Sequence, residues 1–130
     1  MKSHDGVYTR LAASQIHGIG VFAILPIPKG TALFTSEGSG LVSGIPDAEV
    51  QSLPAPLKKL YTDFAIQMEK GGEWVGPLCF DDMSTGWYVN HSKTPNINIS
   101  KEYYYTALRD ILVGEELTVD YDTYSPMVTE

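Results

Sequence analysis

The sequence reads as one mainly β domain built from many short strands, with one or two short helices set among them. Three observations lead there. Turn residues punctuate the whole chain, with 12 Gly and 8 Pro in 130 residues, so no element runs long. The apolar runs between them are short, and several alternate or are rich in β-branched and aromatic side chains, the pattern of a half-buried strand. Only one segment carries a helical period. A chain of this length is expected to form a single domain over 1–130, with its core over about 7–121 and a tail from 122 to 130.

Taken in order, Val7-Tyr8-Thr9-Arg10-Leu11 alternates and predicts the first strand. Ile19 to Leu25 is apolar and extended; Pro26 and Pro28 then forbid a helix, and Lys29-Gly30 makes a turn. Thr31-Ala32-Leu33-Phe34 predicts the next strand, and the turn-rich stretch from Gly38 to Gly44 has room for a brief one at Leu41-Val42. Asp47 is placed to cap a short turn through Val50. The helix is expected where Leu57, Leu60, Tyr61, Phe64, Ala65 and Met68 share one face, with Pro56 in its first turn and Gly71-Gly72 at its end. Glu73-Trp74-Val75, Leu78-Cys79-Phe80, Ile97-Asn98-Ile99, Tyr103 to Leu108 and Leu117-Thr118-Val119 supply the remaining strands, and the polar tail from Asp122 is expected to be loose in isolation.

Nine basic against sixteen acidic side chains give a net charge of −7. That argues against direct nucleic-acid binding, which needs a basic footprint, and allows attraction of a basic partner. No run of eighteen apolar residues is present and the N-terminus lacks a hydrophobic signal region, so neither a membrane span nor secretion is expected. Cys79 is the only cysteine. It can form no intrachain disulfide and no thiolate zinc cluster, and between Leu78 and Phe80 it reads as a small buried hydrophobe in a reducing, cytoplasmic setting.

Three segments have the make-up of chemistry-bearing loops. In His17-Gly18-Ile19-Gly20 the two glycines let backbone approach a ligand. A dinucleotide fingerprint would have to open a helix here, which Pro26 and Pro28 exclude; a plain hairpin turn remains the alternative. The polar loop Asn90-His91-Ser92-Lys93-Thr94-Pro95-Asn96 lies between apolar, strand-like residues and must satisfy its hydrogen bonds internally, as binding and catalytic loops do. The third, Gly114-Glu115-Glu116-Leu117-Thr118-Val119-Asp120-Tyr121, turns into a short strand that ends on a phenol. His4, His17 and His91 are scattered with no companion ligands, so no metal site is expected.

In this order and at this spacing, the three segments resemble the SET-domain protein lysine methyltransferases, whose pattern is a glycine–x–glycine turn, an Asn-His-Ser-x-x-Pro-Asn loop and a Gly-Glu-Glu-Leu-x-x-Asp-Tyr ending. Ile27-Pro28-Lys29-Gly30-Thr31 is similar to the family's connection after the first turn, and the match covers about Val7 to Tyr121. The chain is most like the minimal stand-alone members of bacteria and viruses. The resemblance implies a fold of small β-sheets with a C-terminal pseudoknot and S-adenosylmethionine as methyl donor. It implies that His17, Gly18, Ile19, Gly20, Asn90, His91 and Tyr121 bind the cofactor, and that Tyr121 is the catalytic residue. Tyr88, Ile99 and Tyr124 would line the substrate channel. The implied substrate is a lysine-bearing basic protein or peptide, histones included; a viral or delivered protein would meet it in host chromatin.

The sequence departs from the family at Trp87-Tyr88, where Arg-Phe is usual, at Lys93, where cysteine is frequent, and at Ile99, where some members carry an active-site tyrosine. It also lacks the cysteine-rich modules that close the channel in many members. The tail with Tyr124, or the second subunit of a homodimer, would have to take that part. Two other readings stand beside the enzyme: a SET-like protein-binding module without turnover, and a weaker one, a hydrolase using Asp81 and Asp82, residues that otherwise make a solvated turn.

Overall fold

The computed structural model describes residues 2–35, 42–100 and 104–123, and the chain divides into two compact units. The first takes the described residues of 1–40 and 84–124; the second, those of 41–83.

The first unit holds two small sheets. Strands β1 (Thr9–Ala13) and β2 (Ile19–Ala23) form an antiparallel hairpin with Ala13 opposite Ile19. The predicted strand at Val7 to Leu11 therefore starts two residues later, at Thr9. The second sheet has β3 (Ala32–Leu33), β8 (Ile97–Ile99) and β9 (Tyr105–Ala107), with β9 in the middle. Two further strands, β7 (Asn90–His91) and β10 (Glu116–Val119), extend the first sheet in the order β1-β2-β10-β7. The last strand thus enters between two laid down earlier, antiparallel to β2 and parallel to β7. Residues 36–41, 101–103 and 124–130, which carry Leu41 of one predicted strand, part of another, and the predicted tail from Tyr124 on, lie outside the described residues.

The core explains these elements. Val21, Ile27, Ile97, Ile111, Leu117 and Val119 are fully buried. In β8 the two isoleucines face inward and Asn98 outward, and in β10 Leu117 and Val119 take the inner face while Thr118 is buried on the other. A strand flanked on both edges satisfies its backbone within the sheet, so Thr118 can be buried without loss. Phe34, just after β3, has φ 58°, a left-handed conformation rare for a bulky residue, and its ring meets Tyr105 edge-on at 5.1 Å.

Ahead of β10 the chain turns at Gly114 (φ 91°). Glu115 staples this turn by accepting from the Arg109 guanidinium (2.7 Å) and the Leu112 amide (2.8 Å). The Arg109 hydrogen bond first, and the Leu112 amide next, hold its carboxyl below the usual glutamate range. A carboxylate whose folded pKa is depressed adds stability above its unfolded pKa and loses it as pH falls through the folded one. Glu115→Gln is therefore expected to lower Tm at neutral pH, with the gap from wild type closing below about pH 4.3, the ordinary glutamate value; melts across pH read this directly.

The second unit contains α1 (Asp47–Gln51), α2 (Ala55–Phe64) and a three-stranded antiparallel sheet of β4 (Val42–Ile45), β5 (Ile66–Gln67) and β6 (Trp74–Pro77) in the order β4-β6-β5. Several expectations are corrected here. The helix stops at Phe64 rather than reaching Met68: Ala65 is extended (ψ 163°), and Ile66 and Gln67 pair with Val75 and Trp74 instead. A β-branched residue with a cross-strand partner outweighs the helical period, and Gly71 (φ 75°) turns the chain between β5 and β6. Asp47 makes no cap; its carboxylate accepts from Trp74 Nε1 (2.9 Å), Gln51 and Gln67, and those hydrogen bonds, Trp74's first, lower its pKa.

Leu78-Cys79-Phe80 is no strand, because β6 ends at Pro77 and Phe80–Asp82 forms a 3-10 turn. Phe80 turns its ring onto Tyr61 at 4.9 Å, leaving Cys79 exposed rather than buried. Asp81 and Asp82 are both exposed, as in a solvated turn. Among the described residues, no helix is long and apolar enough to cross a membrane.

Candidate functional site

The glycine turn is the tip of the β1–β2 hairpin. The Ser14 amide donates to the Gly18 carbonyl (2.8 Å), and the Ser14 hydroxyl accepts from the Ile16 amide (2.9 Å). Gly18 has φ 49°, which a side chain would strain, and a Cβ there would meet no atom within 4 Å, so the turn's backbone is open on that side. Gly20 is tight for the opposite reason. A Cβ there would fall on the Glu116 carboxylate, so glycine leaves the room that this carboxylate occupies against the turn.

Glu116 joins the turn to the polar loop. Its carboxylate accepts from the Ser14 hydroxyl (2.8 Å) and from Asn90 Nδ2 (2.9 Å). The same Asn90 nitrogen reaches the His17 carbonyl at 3.1 Å, with Ser14 Oγ at 3.2 Å and the Ile19 carbonyl at 3.4 Å. An amide nitrogen has two hydrogens, so the two shortest of these are the strongest candidates at any instant. Asn90 is buried, and its position follows from β7 pairing with β10, which sets it opposite Thr118.

Tyr121 is held at both ends by the loop and the residue just before it. Its amide donates to His91 Nδ1 (3.0 Å) and its hydroxyl to the Val89 carbonyl (2.8 Å), while the two rings sit 5.0 Å apart. A ring nitrogen that accepts an amide hydrogen carries no proton of its own, so a neutral His91 is the Nε2–H tautomer. Burial pushes the Tyr121 phenol above its ordinary value, so it stays protonated at neutral pH.

A second lock involves Asn96, which is buried at 3% exposure. Its Nδ2 donates to the Glu116 carbonyl (2.8 Å) and its Oδ1 accepts from the Thr118 amide (2.8 Å). Its own amide donates to the Thr118 carbonyl at 3.2 Å. One asparagine thus pairs with β10 as a further strand would.

Of the residues singled out in the sequence, the structure brings His17, Gly18, Ile19, Gly20, Asn90, His91 and Tyr121 into this one hydrogen-bonded neighbourhood, with the His17 and Ile19 side chains exposed. Tyr88 packs half-buried on the same core as Tyr121, and Ile99 lies inside that core, in register with Tyr105. Sequence reasoning missed Ser14 as a participant and gave Glu116 no role. The available signal was alternation along β10, which puts Glu116 on the face of Thr118, opposite Leu117 and Val119. Among the described residues, no group of three His, Cys, Asp or Glu side chains could hold a metal ion.

Comparison with known proteins gives these arrangements a context. The profile of the SET domain matches residues 18–122. Among solved structures, a Plasmodium falciparum protein described as a candidate histone methyltransferase is similar at 17% identity, with a TM-score of 0.55 over 88% of this chain and 92% of that one. A humanized mutant of the Chaetomium thermophilum Polycomb Repressive Complex 2, bound to the inhibitor GSK343, is similar at 24% identity and a TM-score of 0.58, over 93% of this chain but 16% of that one. At these identities the likeness is one of fold. No curated protein matched the sequence.

Proposed function

The chain belongs to the SET-domain family, and from that premise we propose that it transfers methyl groups from S-adenosylmethionine to lysine side chains of basic proteins. The observation that carries this reading is the meeting of three distant segments: Asn90 ties the glycine turn to the polar loop, and His91 of the loop and the preceding Val89 hold Tyr121 by its amide and its hydroxyl. The net charge of −7 favours a basic substrate.

The residues fit the cofactor. Open space beside Gly18 leaves the turn's backbone approachable there, and Asn90 and His91 stand on β7, one strand beyond β10 in the same sheet. When bound, S-adenosylmethionine supplies a methyl group on a cationic sulfur, ready for in-line displacement. The chain's share is alignment. Tyr121 keeps its proton and hydrogen-bonds Val89, so it is no general base; its oxygen orients the substrate amine by accepting an N–H. The aromatic faces of Tyr121 and Tyr88 disfavour an ammonium, so the lysine arrives neutral, its proton lost to solvent. Ile99, buried in the core, and Tyr124 belong to the proposed channel on the resemblance alone.

The test is mass spectrometry of lysine-bearing peptide arrays incubated with protein and cofactor, read for added methyl groups. Cofactor binding without transfer to any basic protein would make the chain a binding module. Asn90→Ala removes the donor shared by the His17 carbonyl and Glu116, and about a tenfold loss of cofactor affinity is expected, the worth of one charge-assisted hydrogen bond. Calorimetry showing unchanged affinity would remove Asn90 from the site.

A further inference from the structure

Lys93 stands in the polar loop at the position where the resembled family often carries cysteine, and the structure gives it specific partners. Its ammonium lies 3.6 Å from Asp120 Oδ1 and forms an ion pair with Asp122 Oδ2. Those two carboxylates belong to the residues immediately before and after Tyr121. Asp120 Oδ1 also accepts the Asp122 amide at 2.9 Å, closing a small turn around the tyrosine, and lies 3.8 Å from His91 Nδ1, the atom that accepts the Tyr121 amide. Two like charges on one tight turn repel each other. A cation from the loop that already accepts the Tyr121 amide offsets this repulsion, balancing one of the two charges, and ties the turn to that loop again.

We propose that Lys93 is a positioning residue for Tyr121, its ammonium bridging Asp120 and Asp122 so that the turn between them stays closed against the Asn90–Asn96 loop. The proposal rests on the methyltransferase reading in placing Tyr121 at the point of transfer. The side chain of Lys93 is 64% exposed, those of Asp120 and Asp122 21% and 29%. The bridge is therefore open to screening by salt, and its effect is graded rather than all-or-none.

The experiment pairs a structural readout with a kinetic one on the full chain. In Lys93→Met at low salt, amide hydrogen exchange at Tyr121 is expected to rise about fivefold, the range of an exposed ion pair. In the methyl-transfer assay kcat falls by a similar factor, while the KM for cofactor and for peptide stays within about twofold. Lys93→Arg restores both readouts, and so does the charge swap Lys93→Asp with Asp122→Lys in part. Raising the ionic strength moves wild type towards the Lys93→Met values and leaves that variant unchanged. Exchange at Tyr121 that is the same in wild type and Lys93→Met at low salt overturns the proposal, as does a loss of rate in Lys93→Met that appears wholly in KM. If wild type transfers no methyl group to any substrate, the functional reading fails, and the exchange comparison still decides whether Lys93 holds the turn.

Discussion

On the proposed mechanism, replacing Tyr121 by phenylalanine is expected to lower methyl transfer about a hundredfold while leaving cofactor affinity within about twofold. The substitution deletes one oxygen and keeps the rest of the clamp. The backbone amide still donates to His91 Nδ1, and the ring still packs 5.0 Å from the imidazole. What disappears is the hydroxyl that donates to the Val89 carbonyl and that, in the proposed mechanism, orients the incoming amine. Losing a group that acts in the transition state costs two decades of rate at about 2.7 kcal/mol. The Val89 carbonyl left without this donor costs on the order of 1 kcal/mol of stability, too little to unfold the domain. Single-turnover rates at saturating cofactor, with affinity measured separately by calorimetry, separate these effects. Full activity in the phenylalanine variant would take the hydroxyl out of the mechanism.

Asn96→Leu has the largest expected effect on stability. The side chains are similar in size, so the change tests hydrogen bonding rather than volume. It strips the Glu116 carbonyl and the Thr118 amide of partners at 2.8 Å each, on a strand whose neighbours Leu117 and Val119 are fully buried. With each of the two groups costing about 1–3 kcal/mol when left unmet, the loss is roughly 2–6 kcal/mol, on the order of 10 °C or more in Tm for a domain of this size. Chemical denaturation should show a lower midpoint at unchanged slope. Cofactor affinity should fall with it, since Glu116 also sets the position of Asn90 and the glycine turn.

What the sequence made legible was whatever depends on local pattern. Ile97-Asn98-Ile99 announced its inward and outward faces by alternation, and Leu117 and Val119 did the same. Glycines at 18 and 20 marked a turn, and the polar loop marked itself by lying between apolar flanks. The places where reading failed are those decided by partners remote in sequence. Nothing local tells that Ile66 will choose Val75 over another helical turn, or that Phe80 will fold onto Tyr61 and leave Cys79 outside. Ser14 was invisible because its role needs Glu116, 102 residues away, to arrive beside it. Asn96 was seen as part of the loop, but its hold on both polar groups of a later strand was not.

The parallel pairing of residues 90 and 91 with 118 and 119 has a kinetic corollary. Two strands that run the same way cannot be zipped by a tight turn, and their union must wait for loop closure over the intervening chain, a slow step in proteins rich in non-local pairings. During synthesis the earlier strands emerge first, yet the proposed cofactor site stays unfinished until β10 docks. Refolding followed by ligand fluorescence should therefore lag behind the return of secondary structure, and a chaperone that shields the exposed slot would raise yield without altering the final state.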